Sequence, residues 1–169
     1  MISENEYAPF YSGYIKPIIA NGKYIVENLK DYQQEFDGVL RKVDKDKFNY
    51  SYKPNKWTIK EVIQHLIDAE RVFAYRALCF ARNEGVDLPG FNQDEYVLNS
   101  FAKERDYYFL LNEMATLRVS TAQMYLSFTE EALLRKGKAS GNILSVRAIG
   151  YLLSGHQRHH LNVLRKYYL

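Results

Sequence analysis

The four histidines of the chain, His65, His156, His159 and His160, are the side chains whose types and spacing best suit chemistry. His156 and His160 are four residues apart. On a helix they therefore stack on one face with β-carbons ~5–6 Å apart, a span that one metal ion bridges. His65 follows Val62 by three residues and precedes Ala69 by four, which puts it on an apolar stripe as a third, inward-pointing donor from another helix. Three neutral imidazoles suit Zn²⁺, Ni²⁺ or Fe²⁺ and leave room for a water or a substrate atom. A closed structural zinc site takes four protein ligands, and the lone cysteine, Cys79, stands 14 residues beyond His65. That is ~21 Å along a helix axis, too far to join the cluster.

His159 is three residues from His156, so His156 with His159 is an alternative chelating pair, and helix geometry alone leaves both pairs open. Between His156 and His160 lie Gln157, Arg158 and His159, so the glutamate base of the zinc-protease helix is missing. A single histidine on an apolar face is ordinarily a hydrogen-bonded core residue. All four at inward or flanking positions of two helices tip the balance toward a metal. The candidates for a catalytic role are Glu61, one turn before His65, Asp68, almost one turn after it, and His159. Either carboxylate would orient the imidazole or relay a proton, against the ordinary reading of a solvated helix charge. Arg71 and Arg158 would serve an anionic cosubstrate, but ordinary surface charge is the favoured reading for both.

Four helical segments must position these residues. The first is expected from about Pro17 to Val43, with Ile18, Ile25, Tyr32 and Val39 in one seven-residue series and Leu29, Phe36 and Val43 in a second. Thr58-Ile59-Lys60-Glu61 reads as a capping box, with Trp57 and Val62 as a hydrophobic staple, and opens a second helix that lasts until Gly85, Pro89 and Gly90. A third is expected between about Lys103 and Phe128, with a short helical turn over Thr129 to Arg135. Lys136 to Asn142 reads as a loop, and Ser145 as the N-cap of a fourth helix running almost to the end. With no convincing strand pattern, the expectation is an all-α four-helix bundle forming one domain over residues 1–169, its metal site near one end. Connections of ~15 residues exceed ordinary bundle loops and point to function.

Bulk properties narrow the class. Apolar residues at 47% and charged residues at 25% are globular values, so a packed core is expected. A net charge of +3, from 23 basic and 20 acidic residues interspersed along the chain, gives no basic stripe for nucleic acid. No apolar run approaches the ~18 residues of a membrane span. The N-terminal segment, with Glu4 and Glu6 and no apolar run behind them, is expected to be neither signal nor transit peptide. One cysteine fits a reducing compartment, so a cytoplasmic location is expected.

Three stretches carry a resemblance: Lys56-Trp57-Thr58-Ile59-Lys60-Glu61-Val62-Ile63-Gln64-His65 through Arg71, then Leu88-Pro89-Gly90-Phe91-Asn92-Gln93-Asp94, then Gly155-His156-Gln157-Arg158-His159-His160-Leu161. In order and separation they resemble the DinB and YfiT-like superfamily of metal-dependent proteins, over about Pro17 to Tyr168. The resemblance implies an up-down-down-up four-helix bundle, frequent homodimers, and a divalent metal on one histidine of the second helix and two of the last. Those map to His65, His156 and His160. It also implies low-molecular-weight-thiol S-transferase, thiol-dependent isomerase or hydrolase chemistry on a small molecule. Asn92 departs from the aspartate more usual there, and the family name licenses no DNA function. The competing reading is a non-catalytic metal-binding or interaction protein of the same fold. An open coordination position facing a pocket separates the two.

Overall fold

The computed structural model describes residues 2–83, 85 and 87–169. Its first long helical stretch is divided. Helix α1 spans Ser12–Ile19 with Pro17 inside it, and α2 spans Ile25–Leu40. The single first helix expected from Pro17 to Val43 is therefore corrected to two. The break is Asn21-Gly22: Gly22 has φ +73°, and the Asn21 side chain accepts from Lys23 N at 2.9 Å. These are turn residues for a local reason, since Gly tolerates positive φ and Asn bonds its own backbone.

The next helix follows its sequence signals closely. Helix α3 spans Ile59–Ala81. Thr58 Oγ1 accepts from Glu61 N at 3.3 Å, while the Glu61 carboxylate accepts from Thr58 N at 2.7 Å. A short α4, Gln93–Asn99, occupies the connection and starts at Asn92, whose Oδ1 accepts from Asp94 N and Glu95 N. Asp106 caps α5, Tyr107–Leu126, and Thr129 caps α6, Glu130–Leu134. Lys136 to Asn142, expected as a loop, belong to an antiparallel hairpin of β1, Lys136–Ala139, and β2, Asn142–Ser145, turning through Ser140 and Gly141, both at positive φ. Ser145 caps α7, Val146–Tyr167, accepting from Ala148 N at 3.0 Å.

Four helices form the bundle, and individual bonds give their directions. The end of α2 meets the start of α5, where Tyr107 donates to Leu40 O at 2.8 Å, so those two run antiparallel. Lys60 Nζ donates to Lys103 O at 2.9 Å and Arg71 bonds Glu113, so α3 and α5 run parallel. Tyr168 donates to Trp57 O at 2.6 Å, which sets the end of α7 beside the start of α3. Gln33 pairs with Gln157 and Glu35 with Arg165, so α2 and α7 run parallel. The order is up-down-down-up for α2, α3, α5 and α7.

The core has two apolar clusters. One gathers Phe36, Leu40, Ile63, Leu110, Met114 and Leu164; the other gathers Leu29, Phe73, Phe80, Tyr125, Ile149 and Leu152. Where the two clusters meet, each long helix carries polar residues: Gln33 on α2, Glu70 on α3, just past the junction between Ile67 and Ala69, Arg118 on α5, His156 and Gln157 on α7. Glu70 and Arg118 are both buried and meet at 2.7 Å, with Arg118 also donating to Leu29 O of α2. The histidines lie at this middle level, not near one end as expected. Burying three imidazoles requires a polar level, and the helix centres provide it. No helix, among the described residues, is long and apolar enough to cross a membrane.

Candidate metal centre

His65 sits on the inner face of α3 with 3% of its surface exposed. The face is fixed by the register of Val62, Leu66 and Ala69, all buried, and the start of the helix is fixed by the Thr58 cap. His156 and His160 come from α7, one turn apart. The three Nε2 atoms converge: His156 Nε2 is 3.2 Å from that of His65 and 3.1 Å from that of His160. All three donor atoms lie within 4.8 Å of one another. Ligand nitrogens around a tetrahedral ion with bonds of 2.0–2.1 Å stand ~3.3 Å apart, so the arrangement fits one small divalent ion with modest adjustment.

Electrostatics keep the donors usable. Burial pushes His65 down to about 4, partly offset by the carboxylate of Asp94. Burial, then the neighbouring His65 and His159, takes His160 to about 3. His156 is held well below its ordinary value, first by burial and then by the other histidines and Arg118. All three are neutral at pH 7, with lone pairs available.

The surroundings are aromatic and open on two sides. Trp57 is half-buried and its ring lies 4.8 Å from that of His65, so it packs on the imidazole as well as serving as the staple residue. Helix α1 crosses α7 at Gly155, where an added Cβ would come within 2.1 Å of Tyr14 O. Only a glycine permits that approach, and it brings the Tyr14 ring edge-on to His156 and His159. One cavity, of about 330 Å³, is lined by His65, His156, Tyr14, Phe73, Arg76 and Gln93 among others. A second, of about 290 Å³, is lined by His160, His159, Trp57, Asp94, Tyr168 and again Gln93.

The other sequence candidates lie elsewhere. Glu61 is occupied by Thr58 and by Lys103 at 3.4 Å. Asp68 accepts from Gln64 Nε2 at 2.9 Å, and burial raises its carboxyl. Neither touches an imidazole of the cluster. His159 is exposed and packs edge-on to His160, with ring centres 5.2 Å apart. Arg71 is held by Glu113 at 2.7 Å, and Arg158 lines neither cavity.

Residues 28–164 match the sequence model of the DinB superfamily. The chain belongs to the DinB superfamily. Solved structures share the fold. YfiT from Bacillus subtilis, described as a probable metal-dependent hydrolase with an unusual four-helix bundle topology, aligns with a TM-score of 0.72 at 14% identity, over 84% of this chain and 85% of its own. A mycothiol-dependent maleylpyruvate isomerase aligns at 0.67 and 14% identity, over 80% of this chain but 57% of its own. The DinB-like protein YjoA from Bacillus subtilis aligns at 0.59 and 19% identity, over 85% and 88%. No curated protein matches the chain.

Sequence reasoning missed Tyr14, Gln93 and Arg76 as pocket residues of this DinB chain. Gln93 lies in the Leu88-to-Asp94 stretch, but nothing in its residue type marks it. Arg76 lies eleven residues after His65, three helical turns on the same face, and that spacing was a usable signal.

Proposed function

We propose that the protein is a metal-dependent enzyme acting on a small molecule, with His65, His156 and His160 as the ligands of one divalent ion. The reading rests on one observation above all: three neutral imidazoles converge where two cavities meet, so a bound ion would keep coordination positions facing space that a substrate can fill. A purely structural ion has no use for such space. In such a site the ion supplies Lewis acidity and acidifies a water or thiol.

The protein's own residues divide the remaining work. Trp57 and Tyr14 pack on the imidazoles and fix their planes, while the aromatic walls Phe73 and Phe91 exclude water from the larger cavity. Gln93, which borders both cavities, is placed to hydrogen-bond a molecule in either. Two cavities on one centre favour a reaction with two partners, a low-molecular-weight thiol and an electrophile, over simple hydrolysis. The mycothiol-dependent isomerase among the structural relatives agrees with that choice. The lone Cys79 fits a reducing, cytoplasmic setting for such thiols.

The test is mass spectrometry of mixtures containing metal-loaded protein, a panel of cellular thiols and a panel of electrophiles. Metal-dependent thiol adducts or isomerised products are expected. Hydrolysed products alone would replace the transferase reading by a hydrolase, and no metal-dependent product across broad panels would favour a binding protein.

A further inference from the structure

The larger cavity carries a second chemical feature, away from the histidines. Arg76, on α3, is 2% exposed and lines the cavity that His65 and His156 also line. Its Nη2 donates to Pro89 O at 2.8 Å and to Ser140 Oγ at 3.1 Å. Among the described residues its Nε has no partner, and its hydrogen bonds all come from Nη2. The guanidinium stacks on Phe73 with its carbon 5.2 Å from the ring centre. Among the described residues no aspartate or glutamate lines this cavity. The other fully buried arginine differs: Arg118 has Glu70.

A buried cation without a counter-charge is costly, and an anion arriving in the cavity would relieve that cost. The rest of the fold holds Arg76 in place. The hairpin turn at Ser140 and the loop at Pro89 fix Nη2 from outside, and Phe73 fixes the plane.

We propose that Arg76 binds the carboxylate of an extended substrate or cosubstrate whose reacting atom lies at the histidine cluster. One guanidinium, with no lysine or second arginine lining the cavity among the described residues, matches a monoanion; a dianionic phosphate would call for more positive charge at that end. The eleven-residue step from His65 to Arg76 spans ~16 Å of helix axis, so the molecule is long. The apolar wall between them, Ala69 and Phe73, suits a hydrocarbon or thioether middle. This assignment rests on the proposed metal centre for the position of the reacting atom, but the anion subsite stands on Arg76 alone.

The experiment compares straight-chain ω-mercapto acids with the matching ω-mercapto alcohols by calorimetry on the zinc-loaded protein. Chains run from two to eleven carbons. The long acids are expected to bind at least tenfold more tightly than the long alcohols, while two-carbon acid and alcohol bind alike. In Arg76→Gln the long-chain preference disappears with zinc content unchanged, and Arg76→Lys retains part of it. Equal affinity of long acid and alcohol in the unmodified protein overturns the subsite whatever the variants do. If zinc fails to bind, the metal reading falls, and the same acid-to-alcohol comparison on metal-free protein still decides Arg76.

Discussion

Burial of uncharged imidazoles ties the histidine cluster to folding. Unfolded, each titrates near 6.5, whereas folded His65 lies at about 4 and His160 at about 3. Between these values the unfolded chain binds more protons, so the stability of the metal-free protein rises with pH. The full contribution is present above about 6.5 and is lost as pH falls toward 4. Urea midpoints measured on metal-free protein at pH 7.5 and 5 should therefore fall on acidification, and His65→Gln should flatten the slope. Midpoints independent of pH would mean that these rings are hydrated and charged. Thr58 makes a simpler prediction: Thr58→Ala should cost ~1 kcal/mol through loss of the cap, read as a lower thermal midpoint. An unchanged midpoint would mean that Glu61 alone holds the first turn.

At the scale of elements, Gly155 decides whether α1 reaches the site. Gly155→Ala drives a methyl group into the Tyr14 backbone and should destabilise by about 1–3 kcal/mol through overpacking. It should also lift Tyr14 off His156, visible as changed imidazole shifts by NMR; unaltered spectra would remove α1 from the site. Helices α3 and α7 were legible because strong local signals, the Thr58-to-Glu61 box and the Ser145 cap, agree with their apolar periods. The split of α1 from α2 was hidden because Ile18 and Ile25 keep a seven-residue phase across the break, although Asn21-Gly22 was there to read. The hairpin was illegible for another reason. Lys136-Gly137-Lys138-Ala139 has little strand preference of its own. Tertiary contacts hold it: Gly137 lies flat on Phe80, Leu88 bridges to Ala139, and Tyr7 bridges to Leu144.

Across the whole molecule, the bundle combines two apolar clusters with a polar middle level, and the site draws on that level. Glu70 with Arg118 ties α3 to α5 and, through Leu29 O, to α2. Replacing Glu70 with alanine leaves a buried arginine unpaired and should cost ~3–5 kcal/mol, seen in the denaturant midpoint. A loss below ~1 kcal/mol would mean that water reaches Arg118. Sequence periodicity placed His65, His156 and His160 on facing stripes but could not set their height along the bundle. That height follows from where the polar residues of all four helices line up. The central claim, one divalent ion on these three histidines, is tested most directly by elemental analysis of the purified, zinc-reconstituted protein and its single alanine variants. The expected result is one ion per chain in the unmodified protein and in His159→Ala, with sharp loss in His65→Ala, His156→Ala and His160→Ala. Retention of the ion by His160→Ala together with its loss from His159→Ala would contradict the assignment.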